Sequence, residues 1–474
     1  MSVLATEHSF IDTTPGLRQQ TLVVGLGKSG RSVVRFLSAR GVPLLAADTR
    51  GSPPELAQLR REYPELEIHL GPLERDLCAA VGRIILSPGL SREHPVIHHA
   101  VEMGVEVVGD VELFAQLATA PIVAITGSNG KSTVTTLVAE MAANGGLEAR
   151  AGGNLGTPVL ELLGQTEPDL YVIELSSFQL ETTTSLAPLA AVVLNVTPDH
   201  MDRYHDLESY AETKGTIYRH AAHIIHDADN RMVSTLIKRR ESSAELISYR
   251  TAPSLADHCY GICRGAGADG GEWLCRGEKL LMPLDELRIA GRHNHSNALA
   301  ALALGEAAGV PLSSMVETLK VFRGLPHRTE WVAESGEVRW INDSKGTNVG
   351  ATEAAISGLL ADSPHGASKI VLIAGGQGKG ADFSPLRTLA ANTLRAAVLM
   401  GEDAELISAA LDGVVPEIRV DGMEQAVAVA HGVAESGDTV LLSPACASFD
   451  QFSGFEGRGE RFKAEVHQLL GESP

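Results

Sequence analysis

The residues best suited to chemistry lie in a glycine-flanked turn that delivers a lysine and a hydroxyl group onto a helix. Residues 121–133 read PIVAITGSNGKST, a short β-branched run followed by the turn. Glycines let such a backbone bend so that several N–H groups point at phosphate oxygens, while the lysine adds a positive charge and the serine can ligate Mg²⁺. The pattern predicts binding of a nucleoside triphosphate. The predicted loop residues are Gly127, Ser128, Asn129, Gly130, Lys131, Ser132 and Thr133.

This turn departs from the general pattern G-x-x-x-x-G-K-[ST], because Ile125 occupies the place of the first glycine. The context still fits a phosphate loop. A strand pattern precedes the turn, Leu137, Val138 and Met141 follow at helical spacing, and the glycine pair at 145–146 is suited to end the helix. A chance match in a surface loop is the alternative, and the strand–loop–helix context makes it the less favoured one.

Two further groups follow the next strand patterns. Glu174 is the first polar residue of the strand-like run YVIEL, where its carboxylate could serve with Ser132 as a metal ligand, and His200 follows the run AAVVLNV. A lone histidine is often structural, but one at the carboxyl end of a strand beside a nucleotide site is a candidate ligand. With both groups expected on adjacent strands, a site for two Mg²⁺ ions is plausible.

A second glycine turn lies near the N-terminus. Gly25, Gly27 and Gly30 match G-x-G-x-x-G after a strand pattern, and Asp48 ends the next strand. This pattern is typical of dinucleotide sites, yet a glycine turn at a helix N-terminus accepts any diphosphate, including that of a UDP-sugar. The sequence at 87–89, Ser-Pro-Gly, ends a later strand and is expected along the same crevice. A tight turn with no ligand is the alternative.

Two further turns, near the C-terminal part of the chain, carry positive charge. Residues 342–348 (NDSKGTN) and 375–380 (GGQGKG) each follow a strand pattern, and they carry Lys345 and Lys379. Lysines on such turns can be merely solvated. If the two strands are adjacent, however, the turns form a cationic mouth suited to carboxylate or phosphate.

The elements that must position these groups form three alternating series of apolar strands and helices. The pattern predicts an α/β protein of three domains, at residues 1–110, 111–324 and 325–474. Residues 246–290 are glycine-rich and strand-like, and predict a small antiparallel sheet before a helix at 296–308. A further helix is expected at 350–360.

Composition limits the classes of partner and compartment. The chain has 474 residues and a net charge of −20, which argues against nucleic acid or an anionic membrane as a partner. Five scattered cysteines fit reduced thiols, and those at 259, 263 and 275 lack the paired spacing of a zinc site. No leader-like or membrane-spanning apolar run is present in the sequence. We expect a soluble, cytoplasmic protein.

Taken together, the motifs ITGSNGKSTV, ELSSFQLE, LNVTPDHMDRY, AGRHNHSNALAALAL, GLPHR, INDSKGTN, GGQGKGADF and LLSPACASFDQFSGFEGRG resemble those of the Mur ligases, from about Thr21 to the C-terminus. The last motifs resemble the members that add D-glutamate. The resemblance implies a Rossmann-like UDP-binding domain, a central P-loop ATPase domain and a C-terminal Rossmann-like domain. It also implies a monomeric enzyme that forms an acyl phosphate from ATP and UDP-N-acetylmuramoyl-L-alanine (UDP-MurNAc-L-alanine), which the amine of D-glutamate then attacks.

The resemblance assigns roles residue by residue. The catalytic set is Lys131, Glu174, His200, Lys214 and Lys345. ATP would also contact Asn294, Asn297, Arg328 and Asp343. The UDP-substrate would contact Ser29, Asp48, Thr49, Arg50, Ser87, Gly89, Asn154, Gln179 and His200. D-glutamate would contact Lys345, Thr347, Lys379, Ser448 and Phe455. The metal ligands would be Ser132, Glu174, His200 and Lys214 for two Mg²⁺ ions, with Lys214 carbamylated by CO₂.

Three other interpretations stay open at this point. A folylpolyglutamate synthase-like ligase shares a related central domain, although such enzymes ordinarily lack a UDP-type first domain. A nicotinamide-dependent oxidoreductase rests only on the turn at 25–30 and Asp48. A non-catalytic nucleotide-binding regulator would need a degraded metal site, whereas Glu174, His200 and Lys214 are all present.

Overall fold

The computed structural model describes residues 20–154, 156–197, 200, 203–239, 243–252, 256, 258–265, 271–289, 291–361, 369–378 and 380–471. These residues contain three β-sheets covered by helices, which confirms the predicted α/β class. The chain divides into two compact units, one from Met1–Met282 with Asn297–Thr318 and one from Pro283–Ser296 with Leu319–Pro474. The first unit holds two of the sheets and the second unit holds the third. The domain boundaries at 110 and 324 stay predictions.

The first sheet is wholly parallel, in the order β3-β2-β1-β4-β5. Its strands are β1 (Thr21–Val24), β2 (Leu44–Asp48), β3 (Glu67–Leu70), β4 (Arg83–Leu86) and β5 (Glu106–Val108). Its helices are α1 (Lys28–Ser38), α2 (Leu56–Glu62), α3 (Arg75–Ala80), α4 (Pro95–Glu102) and α5 (Asp110–Leu117). Strands β1 and β4 are buried along their whole length, as expected for a parallel sheet with helices on both faces.

The central sheet has nine strands, in the order β14-β13-β12-β11-β10-β9-β6-β8-β7. Its strands are β6 (Ile122–Thr126), β7 (Ala149–Gly153), β8 (Leu170–Glu174), β9 (Ala190–Val193), β10 (His223–Asp227), β11 (Glu245–Tyr249), β12 (Cys259–Arg264), β13 (Glu272–Arg276) and β14 (Lys279–Pro283). The antiparallel pairing expected at 246–290 is present between β12 and β13, but these strands do not form a small sheet of their own, because β11 pairs in parallel with β10 and continues the central sheet. An unpaired edge of β10 would expose its N–H and C=O groups, which β11 satisfies.

The helices of this region follow the strands. They are α6 (Lys131–Asn144), α7 (Val159–Leu162), α8 (Ser177–Leu180), α9 (Leu207–Gly215), α10 (Arg231–Lys238), α11 (Arg292–Ala307) and α12 (Leu312–Val321), with 3₁₀ turns at Thr216–Tyr218 and Leu284–Glu286. Helix α6 ends at the predicted glycine pair, with Gly146 at a φ of 88°. Helix α11 begins four residues before the predicted start at 296. The division between the two units passes through α11 and α12.

The third sheet has the order β15-β16-β20-β17-β18-β19, parallel except for the β15–β16 pair. Its strands are β15 (Glu330–Ser335), β16 (Val338–Asn342), β17 (Ile370–Gly375), β18 (Leu394–Met400), β19 (Glu417–Arg419) and β20 (Thr439–Leu442). Its helices are α13 (Val349–Ala361), α14 (Ser384–Thr393), α15 (Ala404–Leu411), α16 (Met423–Val433) and α17 (Phe455–Leu470). Apolar cores line both faces of this sheet, one around Leu372 and one around Trp340.

Two cysteines differ from expectation. Cys263 and Cys275 form a disulfide, so the prediction that all five thiols are reduced is wrong for this pair. The antiparallel pairing of β12 with β13 brings their Cα atoms to 6.2 Å, within the range a disulfide can bridge. Cys78, Cys259 and Cys446 are buried free thiols.

Helix length and hydropathy bear on membrane insertion. Across the part of the chain that the structure describes, no helix combines the length and the apolar character that a bilayer crossing requires.

Candidate functional site

The predicted phosphate loop lies at the carboxyl end of β6, a strand inside the central sheet. Gly127 and Gly130 have φ values of 154° and 83°, a region of backbone conformation that favours glycine. A Cβ atom on Gly130 would lie 2.4 Å from Oδ1 of Asn297, so any side chain there would force Asn297 to move. Ser132 and Thr133 are buried in the first turn of α6. The strand–loop–helix arrangement predicted from the sequence is therefore present.

The loop is held in shape by the end of the neighbouring strand, β9. The backbone N–H of Thr197 donates to Oγ of Ser128 at 3.0 Å, and this hydroxyl lies 3.0 Å from the Thr197 carbonyl oxygen. The Asn129 N–H donates to Oδ1 of Asn195 at 2.8 Å, and Nδ2 of Asn195 donates back to the Asn129 carbonyl at 3.1 Å. These bonds fix the loop before any ligand binds, which lowers the ordering cost of binding.

Two lysine ammonium groups converge on one carbonyl oxygen of the loop. Lys131 Nζ donates to the carbonyl oxygens of Gly127 and Ser128, both at 2.9 Å. Lys214 Nζ donates to the same Gly127 oxygen at 3.0 Å and lies 4.5 Å from the centre of the Tyr210 ring. Lys214 is only 1% exposed. The loop therefore carries a concentrated positive charge, suited to a polyphosphate.

Glu174 lies at the end of β8 with one carboxylate oxygen in use. Its side chain is 2% exposed, and Oε1 accepts a hydrogen bond from Nδ2 of Asn154 at 2.8 Å. Oε2 is buried and has no hydrogen-bond partner among the described residues. Leaving a buried carboxylate oxygen unpaired is costly, and a bound cation would remove this cost.

His200 is exposed and has a φ of 55°. Its ring centre lies 4.7 Å from that of Phe178 and 6.4 Å from that of Tyr210, the residue beside Lys214. The expectation that Glu174 and His200 follow adjacent strands is wrong, because β6 lies between β8 and β9. The two residues therefore follow the strands on either side of the phosphate loop.

The donor set fits a cation held jointly with a ligand. Within the described ranges, no group of three or more histidine, cysteine, aspartate or glutamate side chains could hold a metal ion by itself. Glu174 and Ser132 offer a carboxylate and a hydroxyl oxygen, which suit Mg²⁺, an ion that binds proteins through few side chains and takes its other ligands from phosphates and water. The residues present therefore fit Mg²⁺ accompanied by a nucleotide.

The first glycine turn opens onto a cleft of about 200 Å³ within the same unit. A Cβ on Gly25 would lie 2.6 Å from Cβ of Ser87, and one on Gly30 would lie 1.9 Å from the Gly25 carbonyl oxygen. The turn must therefore approach the segment after β4, and α1 must approach the turn, as closely as only glycine permits. The cleft is lined by Gly27, Lys28, Ser29, Ser87, Pro88, Gly89, Gly153, Asn154, Gly156, Pro158 and Gln179.

Five of the residues predicted to contact a UDP-substrate thus share one cleft, namely Ser29, Ser87, Gly89, Asn154 and Gln179. Their role in binding stays a prediction. Three of them, Ser29, Ser87 and Gly89, come from α1 or from the segment after β4, and two, Asn154 and Gln179, come from the region around β7 and α8. Both sheets of the first unit therefore contribute to the cleft.

Asp48 anchors the glycine turn. It is 1% exposed and accepts hydrogen bonds from the Leu26 N–H at 2.7 Å, the Arg50 N–H at 2.9 Å and the Arg50 guanidinium at 2.9 and 2.8 Å. Burial acts to raise the pKa of this carboxyl, but the hydrogen bonds from Arg50 and Leu26 outweigh it and hold the pKa below its ordinary value. Thr49 and Arg50 are exposed beside it.

A second buried acid near this cleft, Asp110, was not identified from the sequence. It is the first residue of α5 and is 3% exposed, and Oδ1 accepts a hydrogen bond from the Val111 N–H at 3.0 Å. Burial raises its pKa to about 6, against hydrogen bonds that include one from the Ser29 side chain. An aspartate at a helix start looks in the sequence like an ordinary capping residue, so only its burial reveals it.

The remaining predicted ATP contacts divide between the two units. Asn297 belongs to the first unit and lies against Gly130, whereas Asn294, Arg328 and Asp343 belong to the second. Asp343 is 8% exposed and accepts hydrogen bonds from Oγ of Ser443 at 2.7 Å and from the Thr329 N–H at 3.1 Å. Burial raises the pKa of Asp343 to about 7, against these bonds and the charges of Arg328 and Arg458.

In the second unit, several predicted glutamate contacts lie together. Lys345 Nζ is 4.4 Å from the centre of the Phe455 ring, and the Thr347 N–H donates to the Lys345 carbonyl at 2.8 Å. Ser448 is 2% exposed. The turns after β16 and β17 do not follow adjacent strands as expected, because β20 lies between them. Lys379 lies outside the described residues.

Arg458 joins the turn after β16 to the segment after β20 and was also not identified from the sequence. It is 1% exposed and donates to the Ser344 carbonyl at 2.8 Å, to Oγ of Ser344 at 3.0 Å and to the Cys446 carbonyl at 3.1 Å. Burial lowers its pKa to about 10. The contacts are more than ten residues distant in sequence, so no local pattern marks them.

Solved structures of similar fold include two proteins in complex with ADP. MurF ligase from Thermotoga maritima in complex with ADP is 16% identical, covers 95% of each chain and has a TM-score of 0.58. FolC from E. coli in complex with ADP is 18% identical, with a TM-score of 0.57, over 76% of this chain and 94% of that one. At these identities the likeness shows a shared fold alone.

Sequence comparisons are more specific. Two relatives bear the name UDP-N-acetylmuramoylalanine–D-glutamate ligase. The one from Nitrosococcus oceani is 48% identical over 96% of this chain and 98% of its own length. The one from Pseudomonas fluorescens is 48% identical over 99% of this chain and 100% of its own. Family profiles described as "Mur ligase MurD-like, N-terminal domain", "Mur ligase middle domain" and "Mur ligase, glutamate ligase domain" match residues 19–109, 125–305 and 327–446. The chain belongs to the Mur ligase family.

Proposed function

We propose that this protein is an ATP-dependent ligase that joins D-glutamate to UDP-MurNAc-L-alanine in peptidoglycan synthesis. The observation that carries the proposal is the preformed phosphate loop beside the unpartnered carboxylate oxygen of Glu174, in a unit that also contains the glycine-turned cleft. Relatives that share about half of their residues with this chain over its length bear the name of that ligase. A nucleotide loop and a separate sugar-diphosphate cleft are what such a reaction requires.

The residues of the chain supply charge and orientation for this reaction. The loop N–H groups and Lys131 would hold the phosphates of ATP, and the terminal phosphoryl group would pass to the carboxylate of the UDP-substrate. The amine of D-glutamate would then attack the acyl phosphate, forming the amide and expelling phosphate. Glu174 and Ser132 would hold Mg²⁺, which would neutralise part of the phosphate charge.

A carbamate on Lys214 and a second Mg²⁺ belong to the same proposal. Lys131 and Lys214 both donate to the Gly127 carbonyl, so their like charges repel at close range. After the Lys214 ammonium group releases a proton, its amine would add CO₂ and lose a second proton to give a carbamate. This would turn one of these cations into an anion able to ligate metal, beside the Tyr210 ring that also lies near the His200 ring. Labelled bicarbonate should then give a carbamate carbon signal in wild-type protein and none in Lys214→Arg.

D-glutamate would bind in the second unit, at the predicted set Lys345, Thr347, Lys379, Ser448 and Phe455. Support comes from the contact of Lys345 with Phe455 and from Arg458, which ties the adjoining turns together. A lysine at this position could pair with a glutamate carboxylate. We further propose a cytoplasmic monomer whose product supports cell-wall growth, and hence cell shape and division.

The direct test measures phosphate release from ATP with Mg²⁺, UDP-MurNAc-L-alanine and D-glutamate. The proposal requires release that depends on both acceptor and D-glutamate, with formation of the dipeptide nucleotide. L-glutamate serves as the matched comparison, because a pocket with the same charges could accept either enantiomer. Absence of release above a control without glutamate would refute the proposed function. A parallel titration with NADH tests the oxidoreductase interpretation, which only tight binding would revive.

A further inference from the structure

One arginine of the central region, Arg203, reaches the turn that lines the proposed UDP-sugar cleft. Its Nη1 donates to the Pro88 carbonyl at 3.1 Å, and its Nη2 donates to the Leu90 carbonyl at 3.0 Å. The other side of the guanidinium pairs with Glu181, at 3.1 Å from Nε to Oε1 and 2.5 Å from Nη2 to Oε2. The side chain of Arg203 is 13% exposed, so these bonds are largely shielded from water.

The two bonded carbonyls lie on either side of Gly89, a residue of the cleft wall. The Pro88–Gly89 peptide is trans, since the described chain contains no cis peptide bond. In a trans peptide the C=O and N–H point in opposite directions. With the Pro88 carbonyl directed at Arg203, the Gly89 N–H is directed away from it. Arg203 thereby fixes the direction of a backbone donor in the cleft wall.

The opposite end of Arg203 is itself held firmly. Glu181 follows α8, which carries the cleft residue Gln179, and the Tyr204 hydroxyl donates to Oε1 of Glu181 at 2.6 Å. The Arg203 guanidinium carbon lies 4.1 Å from the centre of the Phe178 ring. Both walls of the cleft are therefore connected through one side chain.

The charge of Arg203 is matched by Glu181, and Arg203 is not among the residues that line the cleft. We propose that Arg203 is a positioning residue, which holds the turn at 87–90 so that the Gly89 N–H and Ser87 can bind the UDP-substrate. This inference rests on the proposed function. It assigns the arginine no contact with the substrate and no part in phosphoryl transfer.

The test compares steady-state constants of the full-length protein and its variants. Arg203→Ala removes both bonds to the turn, and Arg203→Lys keeps a cation near Glu181 but cannot span the two carbonyls. Both should raise KM for UDP-MurNAc-L-alanine by about 10- to 100-fold, the range for loss of one or two charge-assisted hydrogen bonds. KM for ATP and kcat should stay within about twofold, because the arginine does not touch the nucleotide loop. Added guanidinium should restore part of the loss in Arg203→Ala.

Glu112 provides the matched control. It joins α5 to the segment after α8 by accepting hydrogen bonds from the N–H groups of Thr184 at 2.6 Å and Ser185 at 3.0 Å, without touching the turn at 87–90. Glu112→Gln weakens this second link and should leave KM for UDP-MurNAc-L-alanine unchanged.

An unchanged KM in both Arg203 variants would overturn the inference, as would an equal rise in Glu112→Gln, since that would show a general effect of linking the two sheets. If Arg203→Ala fails to fold, the inference is tested with Arg203→Lys alone, through its KM for UDP-MurNAc-L-alanine and its affinity for UDP in calorimetric titration, each compared with wild-type protein. An inactive wild-type protein would instead refute the proposed function, and the titration with UDP would still report on Arg203.

Discussion

Substitution of Asp110 by asparagine should stabilise the protein at alkaline pH. The carboxyl group is buried and its pKa is raised from 3.8 to about 6. Below both values the carboxyl group is protonated and neutral in the folded and unfolded states, so its burial carries no charge-related free-energy cost. As pH rises from about 4 to 6, the unfolded state loses its proton first, so the free energy of unfolding falls. Well above pH 6 the group is ionised in both states, so the free-energy cost of burying the carboxylate has reached its full and constant value.

The size of the effect follows from the shift. A difference of about two pKa units corresponds to about 3 kcal/mol at about pH 8, and integration over the titration leaves about 1 kcal/mol at about pH 4.5. Asp110→Asn removes this cost and retains an oxygen that can accept the Val111 N–H. The free energy of unfolding should therefore rise by up to about 3 kcal/mol at the higher pH and by much less at the lower pH.

The assay is unfolding in denaturant, monitored by hydrogen exchange of peptides from the first sheet. These peptides report on the unit that contains Asp110 and so separate its unfolding from that of the second unit. Asp206 is a control of opposite sign. It caps α9, accepts the Ser209 N–H at 2.7 Å and has a lowered pKa, caused first by that hydrogen bond. Asp206→Asn should therefore not stabilise the protein at alkaline pH. If Asp110→Asn lowered the free energy of unfolding equally at both pH values, the effect would not depend on ionisation of the carboxyl group, and the reasoning would be wrong.

Three further predictions concern the proposed reaction. Lys131→Ala should lower kcat by about 10²- to 10³-fold through loss of charge at the transferring phosphoryl group, measured as phosphate release, and unchanged turnover would show that the loop is not catalytic. Glu174→Ala should raise the Mg²⁺ concentration needed for half-maximal activity, because the unpartnered Oε2 is lost, whereas a wild-type titration curve would count against the ligand role. With ATP limiting, the rate should rise with pH through about 7 as Asp343 ionises, and Asp343→Asn should abolish that step.

The parts of the site that depend on residues close together in the sequence could be predicted from the sequence. The phosphate loop is encoded within seven residues, since two glycines supply the backbone conformation and the lysine follows directly. The order of the strands was not encoded in this way. Parallel strands that follow one another along the chain are separated by crossovers, so a third strand can lie between them, as β6 lies between β8 and β9. Pairing over long sequence distances decides this order.

Residues whose role comes from burial were missed for a related reason. Arg458 and Asp110 are ordinary polar residues of a helix start in the sequence, and their importance appears only when distant turns enclose them. Lys214 was predicted only through resemblance, because a helix lysine is by default exposed. In the structure it reaches the Gly127 carbonyl across 87 positions of sequence. Cys263 and Cys275 likewise pair because two strands meet, which no spacing rule shows.

The two glycine turns of the first unit show why a local motif does not determine its ligand. Both bring a backbone turn to a helix start, and this geometry favours any phosphate group. Around the turn at 127–130, Lys131 and Lys214 concentrate positive charge, which suits a triphosphate. Around the turn at 25–30, the buried groups include the acids Asp48, which pairs with Arg50, and Asp110. Acids disfavour a dense phosphate charge but can accept hydrogen bonds from hydroxyl groups or a base. The charges behind each turn therefore separate the proposed nucleotide site from the proposed sugar-nucleotide site.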